Sequence, residues 1–560
     1  MNMKLNKILL FFISLILIIP LFNDGLINGH DTTFHLNRIV GVADAFRDGQ
    51  IITKIYPYSN FGFGYIQSLV QYCDLFVYPF AILYMLGLPL VVTYKIMIIF
   101  YIVLGNIICY KVLRRISINN EFIMYCLIFY ILNPYRIINI YYRGGIGDIV
   151  AYTFIPIVIY ALYNLFGKNK DKSITLGIGM SLLVLSHNQT FLMFVLLIIS
   201  LFIIYVVRNI NNKQRLTNII IRLFKAGVIG FLLSFWYLVP MLEMLTSAKL
   251  VVSISDTMFD LSKNLFGLRD FFSFYIDSSR IYIPGGIERY SMGIILSLVP
   301  LLMIYKLKTK DKIIRVLFIL YIVLVFIVLG IMPLHKLKVL SILQFTFRWL
   351  ILIIPIQCIL CAYNLSKLDK NVSNIIICVF IVFSCFSLYD TTKIDKTISN
   401  YNTAYEILET NLDTSKDHNS KQISDAMFLP LSEKNDYMND TKAIKLIDND
   451  LLYVDHIYEY ERYFSKIEFE YESVGNEMLM LPLTYYKGYK IYAYNDKDYY
   501  EIDVIDIDVY HRVTLKTLEG NYKYVVQYKG TIIQNISYII SGLALLIIII
   551  CMIKNRRNKV

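Results

Sequence analysis

For its first 390 residues the chain alternates long apolar runs with short basic connections, and after that its pattern changes. A span needs roughly 20 mostly apolar residues. Runs of that kind lie near 8–22, 90–110, 121–133, 149–166, 173–186, 190–207, 217–242, 291–305, 313–332, 349–365, 374–389 and 532–553. They predict about 12 transmembrane helices and a mainly α, polytopic membrane protein. The run 73–88, "CDLFVYPFAILYMLGL", is short for a span and holds Asp74 and Pro79. It is expected to lie at the interface or to re-enter rather than to cross.

Between 391 and 531 the pattern becomes polar, and its second half, "YEIDVIDIDVYHRVTLKTLEGNYKYVVQY", is β-branched, aromatic and largely alternating. That is the signature of a small β-rich fold. The chain therefore divides into a membrane domain over 1–390 with a first external loop at 23–89, a β-rich domain over 391–531, and a final span with a basic tail over 532–560.

Composition agrees with this division. Of the 560 residues 57% are hydrophobic and 17% charged, too apolar for one soluble domain. Residues 391–531 carry 16 Lys and Arg against 25 Asp and Glu, so the net charge of +12 is concentrated in the membrane part. The basic connections "KVLRR", "GKNKDK", "RNINNKQR", "KLKTKDK", "SKLDK" and "KNRRNKV" fall on one side together with the N-terminal lysines. Lysine and arginine accumulate in cytoplasmic loops, so both termini are expected inside and the β-rich domain outside. The same rule accounts for the basic excess without a nucleic-acid partner. The eight cysteines lie almost entirely in apolar runs, which argues against a disulfide framework or a thiolate metal site.

On this topology several polar groups converge on the outer face. They are "GHDTTFHLNRI" (29–39), "YYRGGIGD" (141–148), "SHNQT" (186–190), the segment from about 246 to 289, and "QFTFRW" (344–349). Ionisable groups at the edge of apolar spans mark a pathway or a site, because desolvating them without partners costs several kcal/mol. Asp31 suits the cap of the helix that begins "TTFHLNRIVGVADAF". His30 and His35 flank it; such a pair could coordinate a divalent cation, although the spacing is not a standard ligand box. Arg38 could reach a phosphate or the lipid headgroups. The glycines between Arg143 and Asp148 allow a tight turn that presents a guanidinium, a suitable holder for phosphate. His187 and Asn188 suit helix ends or substrate contacts, and Arg348 beside Trp349 suits an interfacial anchor. Asp44 and Arg47 are read as a solvated helix face.

The stretch "NGHDTTFHLNRIVGVADAFRDGQIITKIYPYSNFGFGY" resembles the first external loop of YfhO-like bacterial membrane proteins and their relatives in the GT-C glycosyltransferase superfamily. "LPLTYYKGYKIYAY" and "YVVQYKGTIIQNISYIISGLALLIII" are similar to the close of such chains. The resemblance implies a GT-C fold with a catalytic acidic residue in the first loop, here Asp31. It also implies transfer of a sugar from a polyprenyl-phosphate carrier to a cell-envelope polymer, lipid or protein outside the bacterial cytoplasmic membrane. No nucleotide-binding motif is needed, since apolar grooves can hold the carrier. His30, His35, Arg38, Arg143, Asp148, His187 and Arg348 are then expected around the substrates. No metal ligand is assigned. A transporter or flippase for a lipid-linked precursor is the competing expectation, and it would place charges within the spans.

Overall fold

The computed structural model describes residues 3–27, 29, 31–59, 63–247, 265–273, 290–306, 311–393, 445–447, 451–453, 457–506 and 511–557. His30 and most of the segment 246–289 lie outside the described residues. Among the described residues eight helices are long and apolar enough to cross a membrane: Leu90–Ile116, Asn120–Arg143, Ile146–Gly167, Asn188–Arg208, Lys213–Ser247, Thr346–Leu365, Lys370–Thr392 and Ile532–Lys554. Each matches one of the 12 expected spans. Two of the other four are shorter apolar helices, Asn6–Phe22 and Ser173–Ser186. The run expected at 313–332 gives a 17-residue helix, Lys312–Val328. The run expected at 291–305 gives one α turn, Ile294–Leu298, and then a 3-10 segment, Val299–Lys306. The doubtful run 73–88 holds only the eight-residue helix Tyr78–Met85, with Pro79 in its first turn.

The described chain forms two compact units. The first unit comprises 1–35, 89–231 and 257–403. In it the helix Leu90–Ile116 packs on Ile146–Leu162, which packs in turn on Ser173–Ser186. Asn120–Ile131 packs on Leu350–Leu365. Both partners in this last pair are buried nearly all round, the pattern of helices inside a bundle.

The second unit comprises 36–88, 232–256 and 404–560. It contains two five-stranded antiparallel sheets. One has the order β2 (Leu451–Tyr453), β1 (Lys445–Ile447), β5 (Met478–Thr484), β9 (Arg512–Lys516), β8 (Ile505–Asp506). The other has the order β3 (Ile457–Tyr463), β4 (Lys466–Val474), β10 (Glu519–Tyr528), β6 (Tyr489–Tyr494), β7 (Tyr499–Ile502). Alternation does the sorting: β4 buries Ile467, Phe469 and Tyr471 and turns Lys466, Glu468, Glu470 and Glu472 away. The inward residues meet Leu479, Leu481, Val513 and Leu515 of the opposite sheet in one apolar core, so the unit is a β-sandwich. The same core takes in Ile55, Tyr65, Leu69 and Val70, which lie in the stretch expected as a loop of the membrane domain. The Thr484 N–H also donates to the Phe63 carbonyl at 2.8 Å. All eight cysteines are free.

Candidate functional site

In the first unit the charged residues gather where the helix run Asn120–Arg143 breaks. Asn133 caps a short helix, Pro134–Ile138, by accepting from the Tyr135 N–H at 2.9 Å, and Pro134 sits at its first position. A wide turn over Asn139–Arg143 then ends at Gly144, whose φ of +71° a side chain would resist. The Gly144 carbonyl accepts from the Tyr94 hydroxyl at 3.0 Å. The helix Ile146–Leu162 starts at once and places Asp148 in its first turn, where the helix dipole favours a negative charge.

Arg143 is therefore held between two carboxylates. Its Nη1 donates to Asp148 Oδ2 at 2.8 Å, and its Nε lies 2.9 Å from Asp31 Oδ2. The Phe347 ring lies 5.3 Å from the guanidinium carbon, and is itself stacked between Tyr290 and Phe345 at 4.0 and 5.0 Å. An arginine over a desolvated ring gains further stabilisation. Arg143, Asp148 and His187 are buried, whereas the Asp31 side chain keeps 23% of its exposure. Of the two carboxylates, the one open to solvent is that of Asp31.

Main-chain bonds fix Asp31 in place. Its N–H donates to the Arg143 carbonyl at 2.8 Å, and its own carbonyl accepts from the His35 N–H at 3.1 Å. Gly29 makes this approach possible: a Cβ there would lie 2.5 Å from the Tyr142 carbonyl oxygen and 2.9 Å from that of Arg143. Thr32 closes the turn, its hydroxyl accepting from the Gly29 N–H at 3.1 Å.

His187 stands between the helices Ser173–Ser186 and Asn188–Arg208, ending one and capping the other. Its Nδ1 is 2.8 Å from the Thr190 hydroxyl and 3.3 Å from Asp148 Oδ1. Burial brings its pKa down to about 4; Asp148 opposes this, and the charges of Arg348 and Arg143 add to it. The ring is thus neutral near pH 7. Arg348 is buried in the 3-10 turn Thr346–Trp349, where its Nη2 donates to Gln344 Oε1 at 2.8 Å. That burial replaces the interfacial anchoring expected of it.

Asp31, Arg143, Asp148, His187 and Arg348 thus share one electrostatic neighbourhood, and two carboxylates balance two guanidiniums in it. His35 lies in the turn after Asp31, buried and edge-on to Phe34 at 5.0 Å. His30 lies outside the described residues. Arg38 belongs to the second unit. There its Nε and Nη2 donate to Asp74 Oδ1 at 3.0 and 2.8 Å, and Tyr56 donates to Asp74 Oδ2 at 2.5 Å. Burial works against the Arg38 charge, but the Asp74 carboxylate outweighs it and raises the guanidinium pKa. A buried, doubly bonded pair of this kind is a packing element and not a headgroup contact. Asp44, expected on a solvated face, is also buried and pairs with Arg47 at 2.8 Å. Among the described residues no group of three or more His, Cys, Asp or Glu is placed to hold a metal ion.

Phe347, Tyr94 and Thr32 carry no sequence signal for the site, because aromatic and hydroxyl residues are common throughout this chain. A relative in Lactococcus lactis subsp. cremoris (strain MG1363), described as an uncharacterized protein, is 22% identical over 261 residues. That likeness spans 44% of this chain and 41% of the relative. Residues 71–393 match a family described as the 6-pyruvoyl-tetrahydropterin synthase related domain, membrane protein. The matched stretch contains Arg143, Asp148, His187 and Arg348 and begins after Asp31. Since it covers more than half of the 560 residues, the chain belongs to this family of membrane proteins.

Proposed function

We propose that the chain is a membrane glycosyltransferase of the GT-C, YfhO-like kind, acting at the outer face of the bacterial cytoplasmic membrane. The donor is a sugar on a polyprenyl phosphate, and the acceptor is a hydroxyl of a cell-envelope polymer, lipid or protein. The supporting observation is the partly exposed Asp31 carboxylate 2.9 Å from the buried Arg143 guanidinium. Transfer of this type needs a base for the acceptor proton and cations for the leaving phosphate. In the reaction the acceptor oxygen bonds to the anomeric carbon and its proton passes to Asp31. The bond from that carbon to the phosphate oxygen breaks, and the lipid phosphate leaves toward Arg143 and Arg348 with inverted configuration at the sugar. Neutral His187 keeps Asp148 and the Thr190 hydroxyl in register without competing for the proton.

The test is transfer of labelled sugar from polyprenyl phosphate to envelope fractions, comparing membranes with the native chain and with Asp31→Asn at equal abundance. Asparagine keeps the shape and can still cap, but it is no base. Transfer by native membranes and none by the variant is the expected result; equal transfer by both overturns the assignment of the base.

One observation favours the second reading, transport of a lipid-linked precursor. Arg136 is buried among the helices, donating to Asn106 Oδ1 at 2.7 Å, while Asn106 donates to Ser14 Oγ at 2.8 Å. Charged and polar groups inside a bundle mark pathways as well as sites. Movement of labelled lipid across vesicles without transfer of its sugar would establish that reading instead.

A further inference from the structure

The outer face of the sheet β3-β4-β10-β6-β7 is neither apolar nor uniformly charged. Strand pairing aligns Tyr458 with Glu470, Glu470 with Lys523, Lys523 with Tyr494, and Tyr494 with Tyr499. All five residues lie opposite the face that buries Phe469, Tyr524 and Ala493. One row therefore crosses all five strands, with an exposed tyrosine at one end, a tyrosine pair at the other and charged hydrogen-bonding groups between. At about 4.8 Å per strand the row is roughly 19 Å long. Tyr458 and Tyr499 are 57% and 67% exposed.

The neighbouring rows repeat the theme. Tyr492 stacks on Tyr499 at 5.6 Å, with the Lys529 ammonium 4.6 Å from the Tyr492 ring. Tyr463 pairs with Lys466 across the strands at the far edge. The charges are spent on one another: Lys490 pairs with Glu501, Lys466 with Glu468, and Lys523 lies 3.4 Å from Glu468.

We propose that this face is a binding platform for a neutral glycan chain. Tyrosine offers a rigid, flat, amphipathic ring that suits the apolar face of a sugar, and the carboxylates and ammoniums of the middle strands suit its hydroxyls. The length of the row requires an extended ligand of several rings. Mutual pairing leaves no positive excess to draw an anionic membrane. An extended peptide would add to a sheet edge through its backbone and not lie across five side-chain rows.

The experiment titrates the full-length chain, in a detergent without a sugar headgroup, with soluble neutral oligosaccharides of hexose and N-acetylhexosamine units. Native protein, Tyr499→Ala and the pair Tyr494→Ala with Tyr499→Ala are compared by calorimetry. Thermal unfolding serves as the check on folding, which exposed tyrosines should leave unchanged. Saturable binding by native protein, weakened about fivefold to tenfold by Tyr499→Ala and further by the pair, is the expected result. Lack of binding to every oligosaccharide overturns the proposal, as does binding that the tyrosine changes leave intact. Anionic lipid vesicles and a tyrosine-rich peptide complete the comparison; tyrosine-dependent binding to either one, without oligosaccharide binding, also overturns it. Binding is read without donor or transfer, so the outcome is separate from that of the proposed reaction.

Discussion

Asp31 and Arg143 meet twice, through the Asp31 N–H on the Arg143 carbonyl at 2.8 Å and through their side chains at 2.9 Å. The backbone contact sets the distance at which the side chains work, so the pair is positioned by main chain and not by rotamer alone. Several measurable consequences depend on that arrangement.

Arg143→Lys should lower sugar transfer by about tenfold or more, because an ammonium cannot reproduce the fork that reaches Asp31 and Asp148 together. Initial rates in membranes of equal protein content check this. A variant as fast as native would remove the double pairing from the mechanism.

Gly29→Ala should destabilise the chain by about 1–3 kcal/mol, since the new methyl meets two carbonyl oxygens of the Tyr142–Arg143 turn. Gly227, in the helix Lys213–Ser247, has nothing within 4 Å of its missing Cβ, and Gly227→Ala should be neutral or slightly stabilising. Thermal unfolding in detergent compares the two.

Arg38→Met should cost about 3–5 kcal/mol by leaving Asp74 charged and buried beside Tyr56. Changing Asp74→Leu as well should recover most of the loss. The recovery stays incomplete because Tyr56 and the Cys73 carbonyl also lose a partner. Unfolding of the native, single and double variants provides the cycle.

His187 sets a pH window. Its pKa is 6.5 in the unfolded chain and about 4 when folded, so between these values the unfolded state binds the extra proton. The stability tied to a neutral His187 is thus fully present above about pH 6.5 and is lost as pH falls toward 4. Unfolding midpoints across that range should fall less steeply in His187→Gln than in native protein. Parallel slopes would show that another group titrates there.

The members of the site that were legible in sequence are those whose charge is out of place beside an apolar run: Asp31, Arg143, Asp148, His187 and Arg348. The topology around them was less legible. Arg136 lies beyond the apolar run expected to end at residue 133. The residues that follow, Pro134–Arg143, are instead buried inside the bundle, as is the whole window within Asn120–Arg143. The pairing of Arg38 with Asp74, 36 residues on, cannot be read from either residue's own neighbourhood. Strand alternation near the C-terminus announced a β fold. It could not announce that Ile55, Tyr65 and Leu69 complete its core, since short apolar patches in a loop have no period.

Only Lys529, Gly530 and Thr531 separate β10 from the helix Ile532–Arg557. The Thr531 hydroxyl donates to Glu243 at 2.6 Å, and Lys487 reaches the same carboxylate at 3.0 Å, so the joint is also pinned to the helix Lys213–Ser247. Three extended residues reach only about 10 Å. A sandwich on so short a leash, anchored to two helices of membrane-crossing length, cannot swing far from either of them. It works as a fixed shelf carried on those two helices, and whatever rests on it must come to it.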